Sequence, residues 1–423
     1  MLNRRSILSH PIRLPLSCAV AFLLAGPLSL QAAGTRIEDQ RLTYFASIPA
    51  HSHFGASLAM TRDSGGAFAM IGTHEGHIGV FEYHAPAWEP SFSLGTGAPA
   101  VQLFPMDLEL GTGIAAIRHA SGNTTIRTFV DGGADVDLLA GVEGTYVKAV
   151  ALYGDVLVLG QPDQAGGAGR IQIYEWNSIF GWGLAATFNG ATGDRLGSAL
   201  AMKEGLIAAG APGYGANGAV RFYGRGEEWF DWTWIESPAT SQTGAEFGAA
   251  VDLSLDGMWV AVGSYAADDL VVLPGGQPEI NVGAVYLYRS VFLGWELEGL
   301  VRPLESSTND NFGYSVALHD DILVAGSPGE DGASIDEGAA YVYQYSGSQW
   351  RKRMRLADSA PEPDEQLGWS VAVGDLGALV GAPYFDGNGV LDQGAVLAYG
   401  GIVTLFEDGF ESGDFSAWSA VVP

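Results

Sequence analysis

Carboxylates and imidazoles are the main groups in this chain that could bind a metal ion, since its 423 residues include a single cysteine, Cys18. Acids occur in polar segments that follow short apolar runs, and oxygen ligands of this kind suit Ca²⁺. The candidate calcium ligands are Asp331, Asp336, Asp386, Asn388 and Asp392. The alternative is an acidic surface loop that binds a basic partner or nothing, because surface loops are polar in any protein.

Histidines form a second group with possible metal chemistry, because imidazole nitrogen suits zinc or copper where no thiolate competes. His51 and His53 lie two residues apart, so an extended backbone places both rings on one face. His74 and His77 follow a short distance along the chain. The alternative is a set of solvated histidines in exposed loops.

The sequence contains no local signature of catalysis. Gly-x-Ser-x-Gly, His-Glu-x-x-His and Walker motifs are all missing, so we assign no catalytic and no cofactor-binding residue. Carboxylates that are distant in sequence could still meet at a central channel, which leaves a polysaccharide hydrolase or lyase open. Trp229, Trp232 and Trp234 could stack on sugar rings, but we expect them to pack between neighbouring sheets.

Five copies of one phrase position these groups. Each copy has Phe or Leu before Gly, then an apolar strand, a Gly-Ala-Pro-like corner and a second apolar strand. The copies begin at Phe54-Gly55, Leu196-Gly197, Phe247-Gly248, Phe312-Gly313 and Leu367-Gly368. Such a repeat indicates supersecondary units that bury their apolar faces against one another.

The phrase resembles the FG-GAP repeat of integrin alpha subunits, and more closely its bacterial relatives. The clearest copy runs from Asn311-Phe312-Gly313-Tyr314 through Gly326-Ser327-Pro328 to Tyr341-Val342-Tyr343. The resemblance implies a β-propeller over residues 40 to 400. It also implies calcium in an Asp-rich hairpin loop, which this chain largely lacks; the nearest match, Asp252 to Gly257, is better explained as an ordinary hairpin.

We therefore predict an all-β fold, a seven-bladed β-propeller of four-stranded antiparallel blades. Two further copies without the opening Phe-Gly lie at residues 101–130 and 146–176, which brings five copies to seven. The last copy lacks its outer strand. The segment Arg41 to Ala46 lies before the first copy and would complete the last blade, so the N-terminal strand closes the ring.

The ends of the chain indicate export. Arg4, Arg5 and Arg13 precede an apolar stretch and small residues at Ala32-Ala33, the order of a secretory signal peptide; an uncleaved membrane anchor is the alternative. We expect a signal peptide at 1–33, the propeller at 34–400 and a tail with an acidic-aromatic motif at 401–423. Cleavage would remove three Arg and no acid, and would move the net charge from −28 to −31.

A chain this acidic repels nucleic acid and anionic membranes, so neither is an expected partner. We predict a secreted, periplasmic or cell-surface monomer without enzymatic activity. It would bind a protein or glycan partner, in adhesion or a similar role, through loops on one rim of the propeller. A secreted polysaccharide hydrolase or lyase and a structural envelope protein are the alternatives.

Overall fold

The computed structural model describes residues 34–43, 50–63, 66–73, 77–95, 100–109, 112–119, 124–130, 134–142, 147–179, 181–238, 244–268, 279–292, 294–387 and 389–402. Two short strands, β1 (Gly34–Ile37) and β2 (Gln40–Leu42), precede the first repeat. All later strands belong to seven sheets that follow one another along the chain.

Sheets 1 to 4 have four antiparallel strands each. Sheet 1 contains β3 (Ser57–Asp63), β4 (Gly66–Gly72), β5 (His77–His84) and β6 (Ala87–Gly95). Sheet 2 contains β7 (Ala100–Glu109), β8 (Thr112–His119), β9 (Thr124–Val130) and β10 (Ala134–Val142). Sheet 3 contains β11 (Ala149–Tyr153), β12 (Val156–Gln161), β13 (Arg170–Asn177) and β14 (Gly181–Asn189), with one short helical turn, α1 (Gln164–Gly167), after β12. Sheet 4 contains β15 (Leu200–Lys203), β16 (Leu206–Ala211), β17 (Ala219–Arg225) and β18 (Trp229–Glu236).

Sheets 5 to 7 follow the same order, and the two N-terminal strands join the last two of them. Sheet 5 contains β19 (Ala250–Leu253), β20 (Trp259–Ser264), β21 (Ala284–Val291) and β22 (Gly294–Val301). Sheet 6 contains β23 (Val316–His319), β24 (Ile322–Ser327), β25 (Ala339–Tyr345) and β26 (Trp350–Ala357), with β1 beside β26. Sheet 7 contains β27 (Ser370–Gly374), β28 (Gly377–Ala382) and β29 (Ala395–Gly400), with β2 beside β29.

The core lies between neighbouring sheets. Every residue of the second strands β20, β24 and β28 is buried, as expected of strands covered on both faces. One apolar cluster, for example, joins Trp259 and Leu287 of sheet 5 to Leu323 and Tyr341 of sheet 6. The all-β prediction is confirmed.

The first strands of the sheets contact one another in ring order. β3 contacts β7, and the sequence continues through β11, β15, β19, β23 and β27, which in turn contacts β3. These strands are the innermost elements, so the residues at their ends face a common axis.

The repeated glycines explain how neighbouring sheets approach so closely. A Cβ at Gly210, at the end of β16, would lie 1.9 Å from the carbonyl oxygen of Gly248 in the next phrase. Real Cβ atoms do not approach an oxygen this closely, so only glycine fits. The same pairing of a corner glycine with a phrase glycine occurs at Gly160 and Gly197, Gly263 and Gly313, Gly326 and Gly368, and Gly381 and Gly55.

The N-terminal segment pairs with two sheets. Leu42 lies opposite Val396 in the antiparallel pairing of β2 with β29, which supplies the strand that sheet 7 lacks. The predicted segment extended from Arg41 to Ala46; the observed strand is Gln40–Leu42, and residues 44–49 lie outside the described residues. β1, which the sequence did not indicate, runs parallel to β26, with Gly34 opposite Met354.

The predicted signal peptide and tail remain predictions. Residues 1–33 and 403–423 lie outside the part of the chain that the structure describes. Within the described part, no helix is both long and apolar enough to cross a bilayer.

Candidate functional site

One edge of the sheets carries all the long loops. In an antiparallel sheet that begins at its inner strand, the turns after the first and third strands share one edge. The loop after the second strand and the connection to the next sheet share the other edge. We call this second edge the loop face. On the loop face, parallel β-bridges join the loop after a second strand to the connection that leads into the next sheet. Examples are the bridges between Gly338 and Leu367 and between Gly394 and Phe54.

A left-handed backbone residue precedes the Phe or Leu of each phrase. The φ angles are close to +55° in all five copies, although none of these residues is glycine: His53 (56°), Arg195 (55°), Glu246 (58°), Asn311 (55°) and Gln366 (54°). This conformation costs a non-glycine residue about 1 kcal/mol. The parallel β-bridge made by the following Phe or Leu must therefore stabilise the left-handed conformation. The repeated geometry fixes one side chain per phrase on the loop face.

Arg195 and Glu246 show that this position reaches from one sheet to the next. Arg195 Nη2 donates to Glu246 Oε2 at 2.7 Å. Lys148 lies in their electrostatic environment, and its pKa is lowered by burial first and then by the charge of Arg195. Charged groups therefore occupy the loop face of sheets 3 to 5.

Five aromatic side chains continue along the loop face from sheet 5 to sheet 1. Tyr265 lies 5.4 Å from Tyr314, ring centre to ring centre, and Tyr314 lies 4.8 Å from Trp369. Trp369 lies 5.6 Å from Tyr384, which lies 4.9 Å from His53. All five residues are partly buried. We call this set the aromatic row.

The local sequence explains the position of the row. Tyr314 and Trp369 follow the glycines of their phrases and lie at the loop-face ends of β23 and β27. Tyr265 and Tyr384 follow the second strands β20 and β28 directly or within two residues. Because the first strands form the inner ring, Tyr314 and Trp369 lie toward its loop-face end.

Carboxylates lie at both ends of the aromatic row. Burial, and then the charge of Glu246, raises the pKa of Tyr265. Burial and the charge of Asp392 likewise raise the pKa of Tyr384. His51, with its ring centre 6.4 Å from that of His53, places Nδ1 2.5 Å from Asp392 Oδ2.

The candidate calcium ligands lie in two separate loops. Asp331 Oδ1 accepts the backbone N–H of Asp336 at 2.9 Å, and Asp386 Oδ1 accepts that of Asp392 at 2.8 Å. These carboxylates thus stabilise their own loops, and burial and neighbouring acids raise the pKa of Asp336. Asn388 lies outside the described residues.

Within the described segments, no three His, Asp, Glu or Cys side chains are arranged to hold a metal ion. Of the predicted imidazole ligands, His51 and His53 are brought together at the end of the aromatic row. His77 lies at the start of β5, where its backbone N–H donates to Thr73 Oγ1 at 2.9 Å. His74 lies outside the described residues, and both metal assignments remain predictions.

The outer tryptophans differ from one another. Trp229 is buried and donates from Nε1 to Glu175 Oε1 of sheet 3 at 2.8 Å, so it packs between sheets as expected. Trp232 and Trp234 are 39% and 58% exposed, and the packing prediction is wrong for them. They lie on β18, the outermost strand of sheet 4.

A buried acidic cluster, which the sequence did not indicate, joins β2 to the connection between sheets 6 and 7. Arg41 donates from Nη2 to Glu38 Oε1 at 3.0 Å and to Asp358 Oδ1. Glu365 has no exposed surface; burial first, and then the charge of Asp358, raises its pKa to about 9. No local pattern distinguishes these acids from the other acids of the chain.

Ionisable groups also lie near the opposite, hairpin end of the inner strands. His319 Nε2 lies 2.8 Å from Asp375 Oδ1, and Asp252 Oδ2 accepts the backbone N–H of Leu318 at 2.7 Å. Burial raises the pKa of Asp252, while Lys203 opposes that shift. As predicted, the turn after Asp252 is a hairpin, in which Asp256 Oδ1 accepts the backbone N–H of Met258.

Comparison with known proteins agrees with this architecture. The FG-GAP repeat family matches residues 295–343, a segment that begins in β22 and ends within β25. No curated protein matches the chain. A solved structure titled "Crystal Structure of Mitotic Checkpoint Complex" contains a chain that matches with a TM-score of 0.56 and 12% identity, over 95% of this chain and all of that one. At this identity the likeness shows the fold alone, a β-propeller.

Proposed function

The chain is a β-propeller that carries an FG-GAP repeat, and from this premise we propose that it is an exported, non-enzymatic protein that binds a macromolecular partner through its loop face. An FG-GAP propeller is a protein-interaction type of domain. Proteins that share this fold bind unrelated partners, so the class of partner has to be inferred from the residues of the site. The partner is a protein or a glycan.

The aromatic row is the observation that supports this function best. Tyr and Trp supply large contact area at low cost in conformational entropy and dominate the energetics of many binding surfaces. Here four such rings and His53 line one face, half-buried and therefore held by their neighbours. The inner ring of strands beneath them is a rigid support.

Export and the absence of nucleic-acid or membrane partners belong to the same proposal. The basic and apolar N-terminal residues support export. The net charge of −28 opposes binding to nucleic acid or to anionic membranes. We expect the exported protein to act as a monomer.

A binding screen on purified protein tests the proposal. The chain beginning at Gly34 would be applied to glycan and protein arrays beside two variants, Trp369→Ala and Trp234→Ala. Trp234 is the matched control, because it is an exposed tryptophan on the outer strand β18 rather than on the loop face. We expect a partner whose binding falls at least about tenfold, or about 1.4 kcal/mol, in Trp369→Ala and stays unchanged in Trp234→Ala.

The opposite pattern would contradict the proposal. If every partner found binds Trp369→Ala as well as the unaltered chain, the loop face is not the binding surface. Circular dichroism and thermal unfolding of both variants would verify that each is folded.

A hydrolase or lyase is the second candidate, supported by the ionisable groups on the inner strands. Asp252, His319 and Asp375 belong to three successive sheets, but both oxygens of Asp252 accept backbone N–H groups, from Leu253 and Leu318. Such an engaged carboxylate favours a structural role. Release of reducing ends from a polysaccharide panel by the unaltered chain, abolished in His319→Ala, would establish this candidate instead.

A further inference from the structure

Resting on that proposed function, we propose that the aromatic row is the binding site of a neutral, hydroxyl-rich carbohydrate chain. Three features of the loop face support this class of partner. They are the amide side chains beside the rings, the spacing and tilt of the rings, and the distribution of charge.

Amide side chains accompany the two central rings. Asn311 lies three residues before Tyr314, and Gln366 lies three residues before Trp369. Both occupy the left-handed position of their phrases, which holds them on the loop face. Asn311 Nδ2 donates to the carbonyl of Asn309 at 2.6 Å, so that its side chain is oriented. A planar amide both donates and accepts hydrogen bonds, which matches a sugar hydroxyl, itself a donor and an acceptor.

The rings of the aromatic row are evenly spaced, and their planes are tilted relative to one another. Their successive centres are 4.8 to 5.6 Å apart from Tyr265 to Tyr384. This spacing is comparable with the repeat of one pyranose ring in an extended chain. Neighbouring planes differ by 60°, 46° and 78°, so the rings of the row are tilted against one another. A pyranose has an apolar C–H face for stacking and a polar hydroxyl edge, and it can follow such a row.

The charges of the protein favour a neutral carbohydrate chain over an anionic one. Glu246 and Asp392 lie near the two ends of the row. Near its centre, the backbone carbonyl of Asp336 accepts the Gln366 N–H at 3.1 Å, so acidic residues lie along the whole row. With a net charge of −28, the protein repels sulfated and uronate-rich glycans. A neutral polyhydroxyl chain avoids this repulsion.

A defined set of probes tests the inference by titration calorimetry. The probes are neutral hexasaccharides of glucose, mannose, galactose and N-acetylglucosamine, the disaccharide of each, and a sulfated hexasaccharide. We expect one neutral hexasaccharide to bind several-fold more tightly than its disaccharide, with an affinity insensitive to salt. The sulfated probe should bind more weakly than its neutral counterpart. Tighter binding of the sulfated probe would overturn the inference.

Variants of the row locate the binding. We expect a loss of roughly tenfold in Trp369→Ala, a smaller loss in Trp369→Phe, which keeps a ring, and no change in Trp234→Ala. Tyr384→Ala is the second variant if Trp369→Ala does not fold, and it should lose affinity as well. Binding of the neutral hexasaccharide that survives both alanine variants would overturn the assignment to the row.

The inference and the proposed function can fail separately. If no neutral hexasaccharide binds, but a protein partner from the array screen depends on Trp369, the loop face keeps its binding function and the carbohydrate inference is wrong. If no partner of either class depends on Trp369 or Tyr384, both are wrong.

Discussion

Glu365 is a fully buried carboxyl group that keeps its proton at neutral pH. Burial and the neighbouring charge of Asp358 raise its pKa to about 9. Its Oε2 accepts the backbone N–H of Glu362 at 3.2 Å, within the connection between sheets 6 and 7. A protonated Glu365 beside Asp358 avoids two adjacent buried negative charges.

We expect Glu365→Gln to make the stability of the protein less dependent on pH. Between the ordinary pKa of 4.5 and the folded value of about 9, the folded chain binds a proton that the unfolded chain has lost. The free energy of unfolding therefore falls as the pH rises, by at most about 1.4 kcal/mol per pH unit for one proton. Glutamine does not titrate, so urea unfolding at pH 5, 7 and 9 should show a shallower decline in the variant.

Asp364→Asn is the matched control, because Asp364 is an exposed carboxyl in the same connection. Asparagine also tolerates the left-handed φ of 62° at this position. The control should decline with pH as the unaltered chain does. Equal slopes for Glu365→Gln and the unaltered chain would show that the proton is not held at Glu365.

Some residue positions were predictable and others were not. The spacing of His51 and His53 predicted an extended backbone, which is wrong because both residues have left-handed φ angles, 65° and 56°. Their ring centres nevertheless lie 6.4 Å apart, and their neighbours, Asp392 and Tyr384, come from a distant segment. The burial of Glu365 could not be predicted in a chain with 48 acids. The groups that surround it, Asp358 and Arg41, lie elsewhere in the sequence, and no local pattern records their approach.

At the scale of the element, the phrase itself carried most of the predictive information. Its glycines correctly indicated close approach of strands. The sequence could not say that the corner glycine of one sheet meets the phrase glycine of the next, as Gly210 meets Gly248. Nor could it indicate the left-handed residue before each Phe or Leu, because His, Arg, Glu, Asn and Gln share no common propensity for that conformation.

We expect Gly210→Ala to destabilise the protein strongly. The added methyl would lie 1.9 Å from Gly248 O, so sheets 4 and 5 would have to separate near the axis. Overpacking of this kind costs about 3 kcal/mol or more. Thermal unfolding followed by circular dichroism would measure the loss.

Gly183→Ala is the control for the strand environment. Gly183 lies on the outer strand β14, and a Cβ there would meet no atom within 4 Å. Replacing glycine by alanine in an open strand should be neutral or slightly stabilising, because the unfolded chain loses freedom. Similar losses in the two variants would mean that the inter-sheet contact is not what requires glycine at Gly210.

At the scale of the whole molecule, the two ends of the described chain meet. β2 completes sheet 7, and the junction of sheet 7 with sheet 1 is bonded further by His53 N–H to Asp392 O at 3.0 Å and by Ser370 Oγ to Gly55 O at 2.6 Å. The sequence predicted the strand at sheet 7 from the missing fourth strand. It did not predict β1, whose four residues have no alternating pattern.

Arg41→Ala should weaken this pairing of the chain ends far more than Arg36→Ala. Removing Arg41 leaves the carboxylate of Asp358, whose side chain is fully buried, without its cation, at a cost of about 3 kcal/mol. Arg36 and Asp39 are 35% and 52% exposed, and an exposed pair contributes less than about 1 kcal/mol. Urea unfolding of both variants would compare them; equal losses would contradict the role given to Arg41.

The aromatic row crosses the place where the ring of sheets meets itself, since Tyr384 belongs to the last sheet and His53 precedes the first. A ligand bound there contacts residues that are far apart in the sequence, and it links the first sheet of the propeller to the last. By mass action, such a ligand raises the melting temperature in proportion to the logarithm of its concentration. Ligand binding and the stability of the junction between the first and last sheets would then depend on the same few side chains.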